Sequence, residues 1–98
     1  MTTKEDILKQ IKMHKPELFR LGISNIGLFG SYLRNEQSST SDIDILVDFF
    51  PDKESFDNYM AVCDIVESLF KDERVEVVTK NGLSPHIGTE ILSEVVYA

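Results

Sequence analysis

The strongest structural signal in the chain is the segment Asp-Ile-Asp-Ile-Leu-Val-Asp-Phe at residues 42–49. Successive side chains of a β-strand point to opposite faces, so this alternation predicts a strand with one apolar face. The apolar face carries Ile43, Ile45, Val47 and Phe49, and the other face carries Asp42, Asp44, Leu46 and Asp48. Pro51 ends the strand. A fold that contains this segment must bury one face of the strand and compensate the carboxylate charges on the other.

The flanking segments predict helices alternating with short strands. Thr2 and Glu5 have the spacing of a capping box and open a helix over 3–14. Helical turns are predicted over 16–19 and 32–35, with a loop over 35–41. Strands are predicted over 23–29 and 75–79, and helices over 54–70 and from Ser84-Pro85 onward. This order predicts an α/β (α+β) fold in which helices flank a small sheet, with residues 1–98 forming a single domain.

Two apolar stripes are expected to face the core. The first lies on the 54–70 helix and comprises Phe56, Tyr59, Met60, Cys63, Val66, Leu69 and Phe70. The second lies on the last helix and comprises Ile87, Ile91, Leu92 and Val95. Apolar side chains at this spacing are typical of a helix packed on a core. The sequence leaves open whether the final segment, Val95-Val96-Tyr97, pairs within the chain or across a dimer.

Composition narrows the class of protein. The chain has 98 residues, 42% of them apolar, one cysteine and a net charge of −7. These values predict a globular cytoplasmic domain without disulfides, membrane span or signal peptide. The acidic total argues against extended contact with a nucleic-acid backbone. Residues 36–76 hold twelve acidic and three basic side chains, so the carboxylates are concentrated in the middle of the chain.

Asp42 and Asp44 are the carboxylates least easily explained as a solvated surface. They share one face of a strand that is otherwise apolar, and two unpaired carboxylates there would repel each other. One or two carboxylates, together with substrate phosphates, are a typical Mg²⁺ site. The alternative is an edge strand with a wet face. Asp48 lies farther along the same face and is not assigned to the site.

Gly30-Ser31 follows a predicted strand and opens a turn. Such a turn presents backbone N–H groups and a hydroxyl to an anion, and glycine permits close approach of a phosphate. Arg34 lies one helical turn farther on, where its guanidinium could reach the same anion. The alternatives are an ordinary turn and a surface ion pair between Arg34 and Glu36.

These motifs together resemble the DNA polymerase beta-type nucleotidyltransferase superfamily. Its signature is Gly-Ser, about ten residues, then Asp-x-Asp; here ten residues separate Ser31 from Asp42. The short chain is most similar to the minimal nucleotidyltransferases, the antitoxin partners of HEPN toxins. The segments 75–79, 82–85 and 91–97 share this similarity, which therefore covers nearly the whole chain.

The resemblance implies a polymerase beta-like fold and a role for each motif residue. Gly30 and Ser31, with Arg34, would hold a nucleoside triphosphate. Asp42 and Asp44 would bind two Mg²⁺ ions, and Glu76 would match the third family carboxylate as metal ligand and base. The implied activity is transfer of AMP from ATP to a tyrosine of a HEPN toxin. A catalytic core of this length is expected to take its acceptor from a partner.

The sequence departs from the family pattern at two positions. The third carboxylate is usually aspartate, so Glu76 adds a methylene that could displace a base. Asn35 stands where the family commonly has glycine, and asparagine tolerates the left-handed conformation. Two other functions remain open. One is an antitoxin that neutralises its partner by occlusion with little or no catalysis, and the other is a homodimeric enzyme acting on a small molecule.

Overall fold

Four strands form one mixed sheet with four helices around it in the computed structural model, which describes residues 2–98. The helices are α1 (Lys4–Met13), α2 (Lys15–Arg20), α3 (Phe56–Leu69) and α4 (Pro85–Glu94). The strands are β1 (Ile23–Phe29), β2 (Ile43–Phe49), β3 (Val75–Thr79) and β4 (Val96–Tyr97), with a 3-10 turn at Lys80–Gly82. The predicted fold class is confirmed. Within residues 2–98, no helix has both the length and the apolar character needed to cross a bilayer.

The sheet has the order β3-β2-β1-β4, which places β2 and β1 in its interior. β1 is antiparallel to β2 and to β4, whereas β2 and β3 run parallel. A parallel pair needs a crossover, and α3 provides it. The Tyr59 hydroxyl on α3 donates to the Val77 carbonyl of β3 at 2.7 Å, which ties the crossover helix to the strand that follows it.

The alternation in β2 supplies the centre of the core. Ile43, Ile45 and Val47 are fully buried and belong to the same cluster as Ile7 of α1 and Val62 of α3. Burying each such side chain contributes about 1.5–3 kcal/mol. The opposite face of β2 is not uniformly wet, because Leu46 is also fully buried there. The predicted strand and its inward face are therefore confirmed.

The cap of α1 differs by one residue from the prediction. Thr3, rather than Thr2, is the N-cap: its hydroxyl accepts from the Asp6 amide at 3.2 Å, and the Asp6 carboxylate accepts from the Thr3 amide. Thr2 instead donates its hydroxyl to Glu73 at 2.7 Å. Both threonines have an acidic residue three positions later, so spacing alone does not distinguish them.

The two predicted apolar stripes are only partly buried. On α3, Phe56 is 76% exposed and Met60 is 40% exposed, although Cys63 and Val66 on the same helix are buried. On α4, Ile87 is 60% exposed and Leu92 is 40% exposed. The prediction that all these side chains face the core is wrong. Periodicity identifies the apolar face of a helix but does not supply a layer of protein to cover it.

The C-terminal segment pairs within the chain, as β4 on the edge of β1. Gly27 is opposite Tyr97 and Leu28 is opposite Val96, and the Ala98 amide donates to the Ile26 carbonyl at 2.9 Å. A Cβ atom at Gly27 would lie 2.7 Å from the Val96 carbonyl oxygen. Glycine is therefore needed at position 27 because β4 approaches so closely.

Replacing Gly27 with alanine tests this contact. Because β4 must shift to admit the methyl group, we expect G27A to lose about 1–3 kcal/mol of unfolding free energy. Urea denaturation measures this loss, and hydrogen exchange at the Ala98 amide should accelerate. Asn25→Ala, at an exposed position on the same strand, is the matched control and should change stability by less than about 0.5 kcal/mol. Equal stability of G27A and wild type would contradict this account of Gly27.

Candidate active site

Two of the predicted site carboxylates lie side by side in the sheet. Asp44 of β2 is in register with Glu76 of β3, and adjacent strands are about 4.8 Å apart. On the other side of Asp44, its register partner is Phe29, the last residue of β1. Asp42 lies two residues before Asp44 and therefore on the same face, immediately before β2 begins. The sheet thus brings Asp42, Asp44 and Glu76 to one end of β2 and β3.

The crowding of carboxylates changes the acidity of Asp44. The pKa of Asp44 is raised to about 6, mainly by burial and then by the charges of Glu76 and Asp42 and a hydrogen bond with Glu76. Arg34 acts in the opposite direction and lowers this pKa. Near neutral pH, Asp44 is held as an anion in a place that disfavours its charge. A cation bound at this position would relieve that repulsion.

Gly30 lies against Asp44 in a conformation that favours glycine. Its φ is +82°, in the left-handed region. A Cβ atom at this position would overlap Oδ2 of Asp44 and lie 3.0 Å from the carboxyl carbon. The close approach brings the backbone of the Gly-Ser motif next to the carboxylates.

The segment after Gly30 is a hydrogen-bonded turn over residues 31–35 and not a regular helix. The Arg34 amide donates to the Gly30 carbonyl at 3.2 Å, and the Glu36 amide donates to the Ser31 carbonyl at 2.9 Å. Asn35 adopts a φ of +58°, so the expectation that asparagine provides the left-handed residue is confirmed. The turn places Ser31 and Arg34 next to Gly30.

Glu94, which the sequence analysis did not single out, reaches into this turn from the end of α4. Its Oε1 accepts from the Gly30 amide at 2.8 Å. Nη1 of Arg34 donates to both carboxylate oxygens, at 3.0 and 2.9 Å. Arg34 also donates through Nε to Glu36 at 2.7 Å, the surface pair that was the alternative to anion binding. The signal in the sequence was faint: one acidic residue between the apolar pairs Ile91-Leu92 and Val95-Val96.

The Asp42 carboxylate forms an ion pair with the Arg74 guanidinium. Nε of Arg74 lies 3.1 Å from Oδ1 of Asp42, and Nη2 of Arg74 donates to the Thr40 carbonyl. Oδ1 of Asp42 is shielded from solvent yet has no aligned hydrogen-bond donor. In this conformation no three Asp, Glu, His or Cys side chains among residues 2–98 are grouped so that they could hold a metal ion.

A cleft of about 620 Å³ opens beside the carboxylates. Asp42, Glu76, Glu67, Lys71 and Arg74 contribute to its lining. The Glu76 side chain is exposed at its edge. Such a volume lies within the usual range for small-molecule sites, and the paired charges of its walls suit a polar ligand.

Glu73, which lies just before β3 and also lines this cleft, forms hydrogen bonds with two hydroxyl groups. Glu73 accepts from the Tyr32 hydroxyl at 2.7 Å and from the Thr2 hydroxyl. These two hydrogen bonds lower the pKa of Glu73. Burial and the Glu73 hydrogen bond raise the pKa of Tyr32 to about 12. The network joins the turn after Gly30 to the residues just before β3.

Comparison with known proteins agrees with this geometry. The nucleotidyltransferase domain family matches residues 6–98. The protein adenylyltransferase MntA of Thermococcus cleftensis is 41% identical over 98 residues, covering 99% of this chain and 97% of the relative. A protein of Methanocaldococcus jannaschii assigned as a protein adenylyltransferase is 42% identical, over 83% of this chain and 85% of the relative.

Solved structures share the fold. One assigned to the minimal nucleotidyltransferases superposes with a TM-score of 0.82 and 25% identity, covering 97% of this chain and 95% of that chain. A crystal structure of a toxin–antitoxin with AMP-PNP superposes with a TM-score of 0.65 and 23% identity, covering 98% and 72%. A toxin–antitoxin MntA–HpeT mutant gives a TM-score of 0.63 and 20% identity, covering 98% and 71%.

The raised pKa of Asp44 predicts a stability effect that depends on pH. Because this pKa of about 6 lies above the ordinary 3.8, the folded state binds the proton more tightly than the unfolded state. The Asp44 carboxyl therefore lowers stability as pH rises from about 4 to 6, and the loss persists above pH 6. In EDTA we expect D44N to be more stable than wild type at pH 7 and to lose that advantage at pH 4.

Urea denaturation at the two pH values measures the difference. Asp48→Asn is the matched control, because Asp48 lies on the same face of β2 but has Lys80 3.8 Å from its carboxylate. D48N should show no gain at pH 7. Equal stability of D44N and wild type at both pH values would mean that burial and the neighbouring carboxylates do not raise the pKa of Asp44.

Proposed function

The chain belongs to the nucleotidyltransferase domain family, and from that premise we propose that it adenylylates a partner protein as an antitoxin. It is a nucleotidyltransferase; the nucleotide, the metal and the acceptor are the proposed parts. We propose ATP as donor, AMP as the transferred group and two Mg²⁺ ions at the carboxylates. The proposed acceptor is a tyrosine hydroxyl of a HEPN-type toxin.

The observation that carries the proposal is the register of Asp44 with Glu76 beside Gly30. Asp42, Asp44 and Glu76 are the residues that would hold the metal. The shielded Oδ1 of Asp42, which lacks an aligned hydrogen-bond donor, and the raised pKa of Asp44 fit such a role. Bound Mg²⁺ would neutralise charge on the attacking oxygen, the α-phosphate and the leaving pyrophosphate. Since the Arg74 side chain is 70% exposed, its pairing with Asp42 is weak enough to be exchanged.

The Gly30–Arg34 turn would bind the triphosphate. The Gly30 amide and the Arg34 guanidinium already hold a carboxylate, which shows that their donors converge on one anion. Ser31 would add its hydroxyl. These groups lie on the β1 side of Asp44 and the cleft lies on the Glu76 side, so the carboxylates stand between the phosphate donors and open space for an acceptor.

The exposed apolar surface of the C-terminal elements supports the proposal that the acceptor lies on a partner protein. Ile87 and Leu92 of α4, and Val96 and Tyr97 of β4, are all at least 40% exposed. Exposed large apolar side chains on neighbouring elements are typical of a protein interaction surface. The relative from Thermococcus cleftensis is a protein adenylyltransferase, and the MntA–HpeT structure is a toxin–antitoxin.

An antitoxin that acts by occlusion is the second candidate function. The Glu94 carboxylate on Gly30 and Arg34, and the pairing of Asp42 with Arg74, favour this reading because both fill the site without substrate. The two functions differ in one observable quantity, the covalent state of the partner.

Intact-mass spectrometry of the partner after incubation with ATP and Mg²⁺ separates the two. We expect the partner to gain the mass of one adenylyl group, which is AMP less one water, as pyrophosphate and the hydroxyl proton leave. We expect D42N or D44N to slow the transfer on the order of 10³-fold, since several kcal/mol of charge stabilisation would be lost. D48N, with the same charge change on the same face, should retain activity. A partner that is inhibited but never modified would establish occlusion instead.

A further inference from the structure

The Glu94 carboxylate lies where the proposed function places a phosphate. Oε1 of Glu94 accepts a hydrogen bond from the Gly30 N–H at 2.8 Å, and both carboxylate oxygens accept from Nη1 of Arg34. A carboxylate and a phosphate oxygen are bound by the same charge-assisted donors. Gly30 has a single N–H, so Glu94 and a triphosphate cannot both occupy it.

This contact is better shielded than an ordinary surface ion pair. The Glu94 side chain is 29% exposed, compared with 63% for Glu36, the other partner of Arg34. An exposed pair contributes about 0–1 kcal/mol, whereas a carboxylate that combines a backbone N–H with a guanidinium holds its position more strongly. The contact of Arg34 with Glu94 is therefore better shielded than its contact with Glu36.

The position of Glu94 is set by a short and separable element. Glu94 is the last residue of α4, and β4 begins two residues later with only Val96 and Tyr97 paired to β1. The Gly27 backbone allows β4 to lie close, as described above. This edge strand is held by few contacts, namely its two register pairs and the hydrogen bond from the Ala98 amide to Ile26, so the end of α4 can move without unfolding the core.

We propose that Glu94 is a built-in competitor that occupies the triphosphate position of the nucleotide-free protein. Binding of a nucleoside triphosphate displaces the Glu94 carboxylate from Gly30 and Arg34. This inference rests on the proposed function, because it assigns the same donors to the triphosphate. The opposite role would be a positioning residue that holds Arg34 ready for phosphate, and the two roles predict opposite effects on affinity.

Calorimetric titration with AMP-PNP and Mg²⁺ tests the proposal. Glu94→Gln removes the charge, and Glu94→Asp keeps the charge but withdraws the carboxylate by one methylene. We expect both variants to bind AMP-PNP about tenfold more tightly than wild type, since a charge-assisted contact no longer competes. Glu90→Gln, with the same charge change one turn earlier on α4, is the matched control and should bind like wild type.

Two further probes locate the effect. Inorganic tripolyphosphate should gain affinity for E94Q as AMP-PNP does, whereas adenosine should bind wild type and E94Q equally. The Gly30 amide resonance should shift in E94Q and not in E90Q, which reports the lost contact without any ligand and shows that the variant is folded.

The outcomes separate the inference from the proposed function. Equal or weaker AMP-PNP binding by E94Q and E94D, with wild-type binding intact, would overturn the competitor role and leave the nucleotide site standing. Absence of AMP-PNP binding to every variant would overturn the proposed function and the inference with it. A gain shared by E90Q would mean that net charge, and not the Glu94 contact, controls affinity, and would also overturn the inference.

Discussion

Asp44 and Glu76 repel each other across two parallel strands, and the packing of the core is what keeps them together. Isoleucine side chains on either side of Asp44 are buried in the central cluster, so β2 cannot slide or turn to separate the carboxylates. A slip of one residue would expose the whole apolar face. The hydrophobic effect thus holds in place a pair of charges that electrostatics alone would drive apart.

Three carboxylates around the central pair, those of Asp42, Glu73 and Glu94, have a partner within the chain. Asp42 forms an ion pair with Arg74, and Glu73 accepts hydrogen bonds from two hydroxyls. Glu94 accepts from the Gly30 amide and the Arg34 guanidinium. Asp44 of the central pair instead carries a pKa raised to about 6. A fold that satisfies the periphery and leaves the middle charged concentrates its unfavourable electrostatics at one point, which is a pattern typical of functional sites.

Much of this could be predicted from local sequence, and the reasons differ by residue. The alternation of 42–49 predicts β2 because a period of two is the period of a β-strand. Asn35 is predicted in the left-handed region because few residues tolerate that conformation. The Thr2 cap was wrong because Thr3 fits the same pattern. Burial of Phe56 and Ile87 was wrong because a sequence shows an apolar face without showing what covers it. Glu94 was missed because 64 positions separate it from Gly30.

The crossover through α3 makes the chemistry more fragile than the fold. Asp44 and Glu76 belong to different strands. The distance between them depends on how α3 packs on the sheet, including the hydrogen bond from Tyr59 to the Val77 carbonyl. A tilt of that helix too small to unfold the core would still change the distance between these two carboxylates. Substitutions in α3 can therefore misalign the two carboxylates before they lower the stability of the fold, so a variant can remain folded with its site displaced.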